Sequence, residues 1–99
     1  MLKPNYVEMN LPVQFVKEDN SYIAYCPALD ISTAGSSLEE AKKMFSELVN
    51  LFFEETVNKG TLEEVLLQCG WTKKTKKWEP PKREFINEIQ QKIHIPCPT

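Results

Sequence analysis

Asp30, Glu39 and Glu40 are the carboxylates best placed for chemistry, because they stand close together at a passage from strand to helix. Grouped carboxylates can hold a divalent metal in nuclease-like folds. The same residues also have simpler work. Glu39 and Glu40 open a helix, where negative charge offsets the helix dipole, and Asp30 falls in a turn that suits Asp. Capping and solvation outweigh catalysis for all three. His94 is the single histidine and lies in a proline-flanked tail. A general base needs a fixed geometry and a partner group, so His94 reads as a surface histidine. Cys26 and Cys69 fall at apolar ends of elements, where free cysteine behaves as a small hydrophobe. A nucleophilic role would require a lowered pKa and a neighbouring base. No catalytic residue, metal site or cofactor is assigned.

A second kind of chemistry is suggested by Lys73, Lys74, Lys76, Lys77, Lys82 and Arg83, which surround Trp78. Cations meet phosphates and an aromatic ring stacks on a base, so this set fits a nucleic-acid contact. Its plainer reading is a solvated edge strand, whose lysines discourage edge-to-edge pairing. The plainer reading is preferred, because the chain shows neither a helix-turn-helix nor a ribbon-helix-helix pattern. Gly35, Gly60 and Gly70 are isolated and mark element ends, so no glycine loop cradles a phosphate.

The elements that must position these residues follow from periodicity. Met9, Leu11, Val13 and Phe15 alternate with polar residues, which predicts a strand within Tyr6 to Val16. Pro12 cannot donate a ladder hydrogen bond and suits an edge. Lys17 to Ser21 reads as a polar turn, and Tyr22 to Cys26 as a returning aromatic strand. Pro27 stops that strand, and a brief third one, Ile31 to Ala34, closes at Gly35. Ser37 with Glu40 forms a capping box, with Ser36 and Glu39 as the alternative register. The helix they open should run to about Lys59, with Leu38, Ala41, Phe45, Leu48 and Phe52 as its apolar stripe. Gly60 suits its C-terminal cap.

Thr61 with Glu64 predicts a second capping box and a short helix ending at Gly70. Trp71 to Trp78 reads as a last strand. After Pro80-Pro81, the helical spacing of Phe85, Ile86, Ile89 and Ile93 predicts a final amphipathic helix over 82–93. The expectation is an α+β fold in the order β-β-β-α-α-β, a small antiparallel sheet packed on one long helix. Residues 1–79 would form the domain and 80–99 a C-terminal extension.

Composition bounds the function. Ninety-nine residues with 41% hydrophobic and 26% charged side chains make one modest core. No run is long enough to cross a bilayer, and the N-terminus lacks the apolar centre of a signal peptide. Three widely spaced cysteines suit a reduced, cytoplasmic protein better than a disulfide framework. Residues 1–60 carry five Lys against nine Asp and Glu, a net of −4; residues 61–99 carry seven Lys and Arg against five Glu, a net of +2. An acidic body suits a basic partner.

Phe15 to Glu55 resembles the HicB-like antitoxin domain. The resemblance rests on Tyr22-Ile-Ala-Tyr25-Cys26-Pro27-Ala-Leu29 and on Gly35-Ser36-Ser37-Leu38-Glu39-Glu40-Ala41. Tyr22, Tyr25, Pro27, Gly35, Glu40 and Ala41 are its scaffold positions. The resemblance implies a truncated ribonuclease-H-like fold without catalytic carboxylates, and a homo-oligomer. It also implies a protein partner, a HicA-type toxin that cleaves mRNA and is occluded by the antitoxin; the alternatives are a transcriptional regulator using the basic segment 73–83, or an orphan HicB-like oligomerisation domain. Many members add a segment that binds operator DNA, but Gly70 to Thr99 carries no such pattern. Ala28 to Thr33 also lacks the glycine-cysteine pair often found there. Trp71, Trp78, Phe85 and Ile89 are the expected partner-binding residues, since aromatic and aliphatic anchors dominate interfaces; their alternative role is packing over the sheet edge.

Overall fold

In the computed structural model, which describes residues 9–75 and 77–97, strand β1 (Gln14–Glu18) turns through Asp19-Asn20 and returns as β2 (Ser21–Cys26). Asp19 adopts φ 51°, a left-handed conformation that Asp tolerates. The loop Pro27 to Asp30, closed by Asp30 at φ 54°, leads into β3 (Ile31–Gly35). The three strands form an antiparallel meander with β2 in the centre.

Register assigns the faces. Phe15, Ala24 and Thr33 stand opposite one another, as do Cys26 and Ile31, and Tyr22 and Gly35. Because side chains alternate, these residues share one face, on which Ala24 and Cys26 are fully buried. The other face carries the row Val16, Ile23 and Ala34, with Val16 and Ala34 exposed.

Helix α1 (Leu38–Lys59) covers the buried face. Ser37 Oγ accepts the Glu40 N–H at 3.1 Å, and the Glu40 carboxylate reaches back to the backbone N–H and hydroxyl of Ser36 at 3.2 and 2.9 Å. The Ser37 register is therefore the one adopted, though the reciprocal bond goes to Ser36. At the other end Gly60 takes φ 70° and closes the helix as expected. The stripe is rotated from expectation: Ala41, Phe45, Val49, Phe52, Phe53 and Thr56 lie inward, while Leu38 is exposed. Thr56 is buried without penalty, because its hydroxyl donates to the Phe52 and Phe53 carbonyls at 2.9 and 3.2 Å.

Helix α2 (Leu62–Gln68) follows without the expected capping box. The Thr61 side chain makes no cap bond, and its backbone N–H is committed to the Thr56 carbonyl at the end of α1. Four other expectations are corrected. The first strand begins at Gln14 and extends to Glu18, since the two-residue turn draws Lys17 and Glu18 into the ladder; positions 6–8 lie outside the described residues. The polar turn is accordingly Asp19-Asn20 alone. The last strand is instead a hairpin of β4 (Thr72–Lys73) and β5 (Trp78–Glu79), a separate two-stranded sheet. Lys74 donates to the Lys77 carbonyl at 2.8 Å and reverses the chain there. Finally, residues 80–97 hold no helix. An isolated helix of about a dozen residues is marginal in water without a surface to pack on, and Ile-rich sequence does not offset that cost.

The core joins the sheet loop to the second helix: Cys26, Ala28 and Leu29 pack with Leu66 and Trp71. Trp71 Nε1 donates to the Ala28 carbonyl at 2.7 Å across a buried gap. This contact fixes the C-terminal half of the chain on the β2–β3 loop. It also sets the walls of the site described next.

Candidate functional site

An open groove of about 860 Å³ runs between the end of the sheet, α1, α2 and the hairpin. Leu11, Val13, Phe45, Phe53 and Trp78 line it, and Lys77 stands at its rim. Its lining is mostly apolar because it exposes one side of the core. Leu11 and Val13 reach it through their alternating positions in the approach to β1; that part of the alternation survives where the strand itself does not. A second cleft, about 550 Å³, lies between Pro12, Gln14, Pro27 and Ala28 on one side and Pro81 to Asn87 on the other.

The four expected partner-binding residues separate. Trp71 is only 5% exposed, so its role is packing and it is unavailable as a surface anchor. Trp78 is half-buried in the groove wall, with Lys73 Nζ 5.8 Å from its ring centre. Phe85 and Ile89 are exposed in the tail, together with Ile86, Ile93 and Ile95. Ile89 lines neither the groove nor the second cleft.

The basic residues are not a uniform patch. Lys73 Nζ forms an ion pair with Glu63, and Lys77 Nζ lies 3.9 Å from Glu79. Lys74, Lys82 and Arg83 are exposed, and Lys76 lies outside the described residues.

The scaffold positions carry structural work. Tyr25 donates its hydroxyl to Asp30 Oδ1 at 3.1 Å, and Lys17 Nζ sits 5.5 Å from the Tyr22 ring centre. Pro27 begins the loop against which Trp71 docks. Sheet and helix come close at Gly35 and Ala41: a β-carbon on residue 35 would stand 2.7 Å from Ala41 N and 3.1 Å from its Cα. Only glycine fits that gap.

Asp30 and Glu40 are thus occupied by Tyr25 and Ser36, and Glu39 is exposed. Among the described residues, no three His, Cys, Asp or Glu side chains gather where a metal ion could be held. His94 is exposed in the tail. Cys26 is buried, and Cys69 lies beside the loop with its thiol 3.6 Å from the Leu29 carbonyl. Burial, and then the negative charge of Asp30, push the Cys69 pKa above its ordinary value. A thiol held neutral is a poor nucleophile. Among the described residues, no helix is long and apolar enough to cross a membrane. Comparison with known proteins returns no matching family model, no matching curated protein and no matching solved structure.

Proposed function

We propose that this chain is a non-enzymatic binding module, an antitoxin of the HicB-like kind that associates with a HicA-type mRNA-cleaving toxin and covers its RNA site. The reading places it in the cytoplasm as a homo-oligomer and takes its meander and long helix as a truncated ribonuclease-H-like domain. The observation that carries it is the amount of apolar surface presented to solvent, the groove under Trp78 and the tail bearing Phe85 and Ile89. Clustered exposed apolar residues mark an interaction site. Further support comes from the strand and helix-start motifs, which have ordinary structural roles, and from carboxylates engaged in local hydrogen bonds. The acidic body would draw in a basic toxin and speed its capture.

Trp78, Phe85 and Ile89 are the residues proposed to meet the toxin. Co-expression with a HicA-type toxin encoded beside this chain, followed by size-exclusion chromatography and a growth assay, tests the reading. Co-elution and rescued growth are expected, and both should be lost when residues 80–99 are deleted. A deletion that binds and rescues like the full chain would remove the tail from the interface, and a full chain that neither binds nor rescues would overturn the antitoxin reading.

The alternative, a transcriptional regulator reading operator DNA through Lys73 to Arg83, has less support. It needs cations free for phosphates, and Lys73 and Lys77 stand against Glu63 and Glu79.

A further inference from the structure

Among the described residues, two apolar surfaces stand open to solvent. One is the groove. The other is the tail, where Phe85, Ile86, Ile89, Ile93 and Ile95 are each between 68% and 86% exposed. Phe85, Ile86, Ile89 and Ile93 are spaced along one helix face, from which Ile95 departs, yet residues 80–97 hold no helix.

The root of the tail and the groove lie on opposite sides of two segments. Leu11 and Val13 face the groove, while Pro12 and Gln14, the intervening residues, face the cleft that holds the root of the tail. The segment from Cys26 to Leu29 divides in the same way: Cys26 and Leu29 line the groove, Pro27 and Ala28 the cleft. These two segments form a wall, with the groove on one side and residues 81–87 on the other. Pro80 and Pro81 stiffen the exit, since proline fixes its own φ and holds the preceding residue extended. The molecule measures 63 × 31 × 30 Å, and the distal tail is exposed throughout.

We propose that the protein pairs with a second copy of itself by reciprocal exchange of tails, each seating Ile89 and Ile93 in the groove of the other. A two-fold arrangement is closed, so both grooves and both tails are used and no surface remains to extend the assembly. Apolar character agrees with the placement: Leu11, Val13, Phe45 and Phe53 line the groove, and Ile89 and Ile93 are exposed on the tail. On docking, residues 82–93 would acquire the surface that their helical spacing lacks in the single chain.

This inference concerns the chain alone and does not depend on a toxin, which would compete with the second copy for Trp78 and Ile89. Its test is sedimentation velocity on the full chain and on the double variant Ile89→Asp/Ile93→Asp, with circular dichroism confirming that the variant keeps its fold. A dimer is expected for the unaltered chain, with Kd raised about a hundredfold or more in the variant. Cys97 provides a second measurement, since it is the exposed thiol of the three. A photo-crosslinker placed there, in a mixture of ¹⁵N-labelled and unlabelled protein, should join tail to groove between chains of different mass. A monomer at high concentration, a dimer that survives the double substitution, or crosslinks confined to single chains would each overturn the proposal.

Discussion

Trp71 and Trp78 look equivalent in the sequence, each beside the lysine-rich segment, and both suit a partner contact. They separate only because the Trp71 ring is claimed by a carbonyl 43 residues away, that of Ala28. No local pattern reveals such a pairing. Trp71→Phe removes the indole N–H and leaves the Ala28 carbonyl buried without a donor, which costs about 1–3 kcal/mol. Trp78→Phe, at the groove wall, should shift the melting temperature much less. Thermal melts of the two variants measure the difference, and equal losses would contradict the buried bond. Cys69 gives a signature in pH. Its thiol titrates higher in the folded chain than in the unfolded chain, so the folded state holds more protons above the ordinary thiol range. That contribution to stability is complete below roughly pH 8.5 and declines as pH rises through the folded pKa. Urea unfolding of the unaltered chain and of Cys69→Ala, compared from pH 7 to 10, should show a steeper alkaline decline for the unaltered chain. Parallel curves would refute the shift.

The long helix was the most legible element, because both its ends depend on local chemistry: a serine side chain that caps its own neighbours and a glycine free to take a left-handed turn. The second and third strands were nearly as plain, whereas the first lies later in the chain than its alternation suggests. Where the sequence misleads is in elements that need a distant surface. Apolar spacing in 82–93 fits a helix, but periodicity describes a face without supplying what covers it. Trp71 to Trp78 has strand-like residues, but the turn at Lys74 to Lys77 divides it into two short strands. Where α1 meets β3, the approach is close at Gly35. Gly35→Ala should destabilise the fold by about 1–3 kcal/mol, the usual cost of overpacking, lowering the melting temperature by about 4–8 °C per kcal/mol. A melting temperature unchanged within error would show that the helix can move away at no cost.

At the scale of the molecule, the α+β class and the β-β-β-α-α order were readable, and the groove was not. It is bounded by segments from five places in the chain, and no single stretch of sequence carries its shape. The radius of gyration, 17.4 Å, exceeds the roughly 13 Å of a compact chain this long. The excess belongs with a tail that lies outside the packed body. Exchange of tails would make the melting temperature of the unaltered chain rise with protein concentration, since association stabilises by mass action. The Ile89→Asp/Ile93→Asp variant should melt at one temperature whatever its concentration. Toxin capture by a single chain would give neither behaviour in the absence of toxin, which separates the two uses of the same tail.

The gap between Gly35 and α1 also bears on how such a chain could drift. The atoms that a side chain at 35 would strike belong to the backbone, the amide nitrogen and α-carbon of residue 41 and the carbonyl carbon of residue 40. Shrinking Ala41 to glycine would leave all three in place. A larger residue at 35 therefore has no second-site suppressor at 41. Lineages that change this position must shift the helix or accept the lost stability.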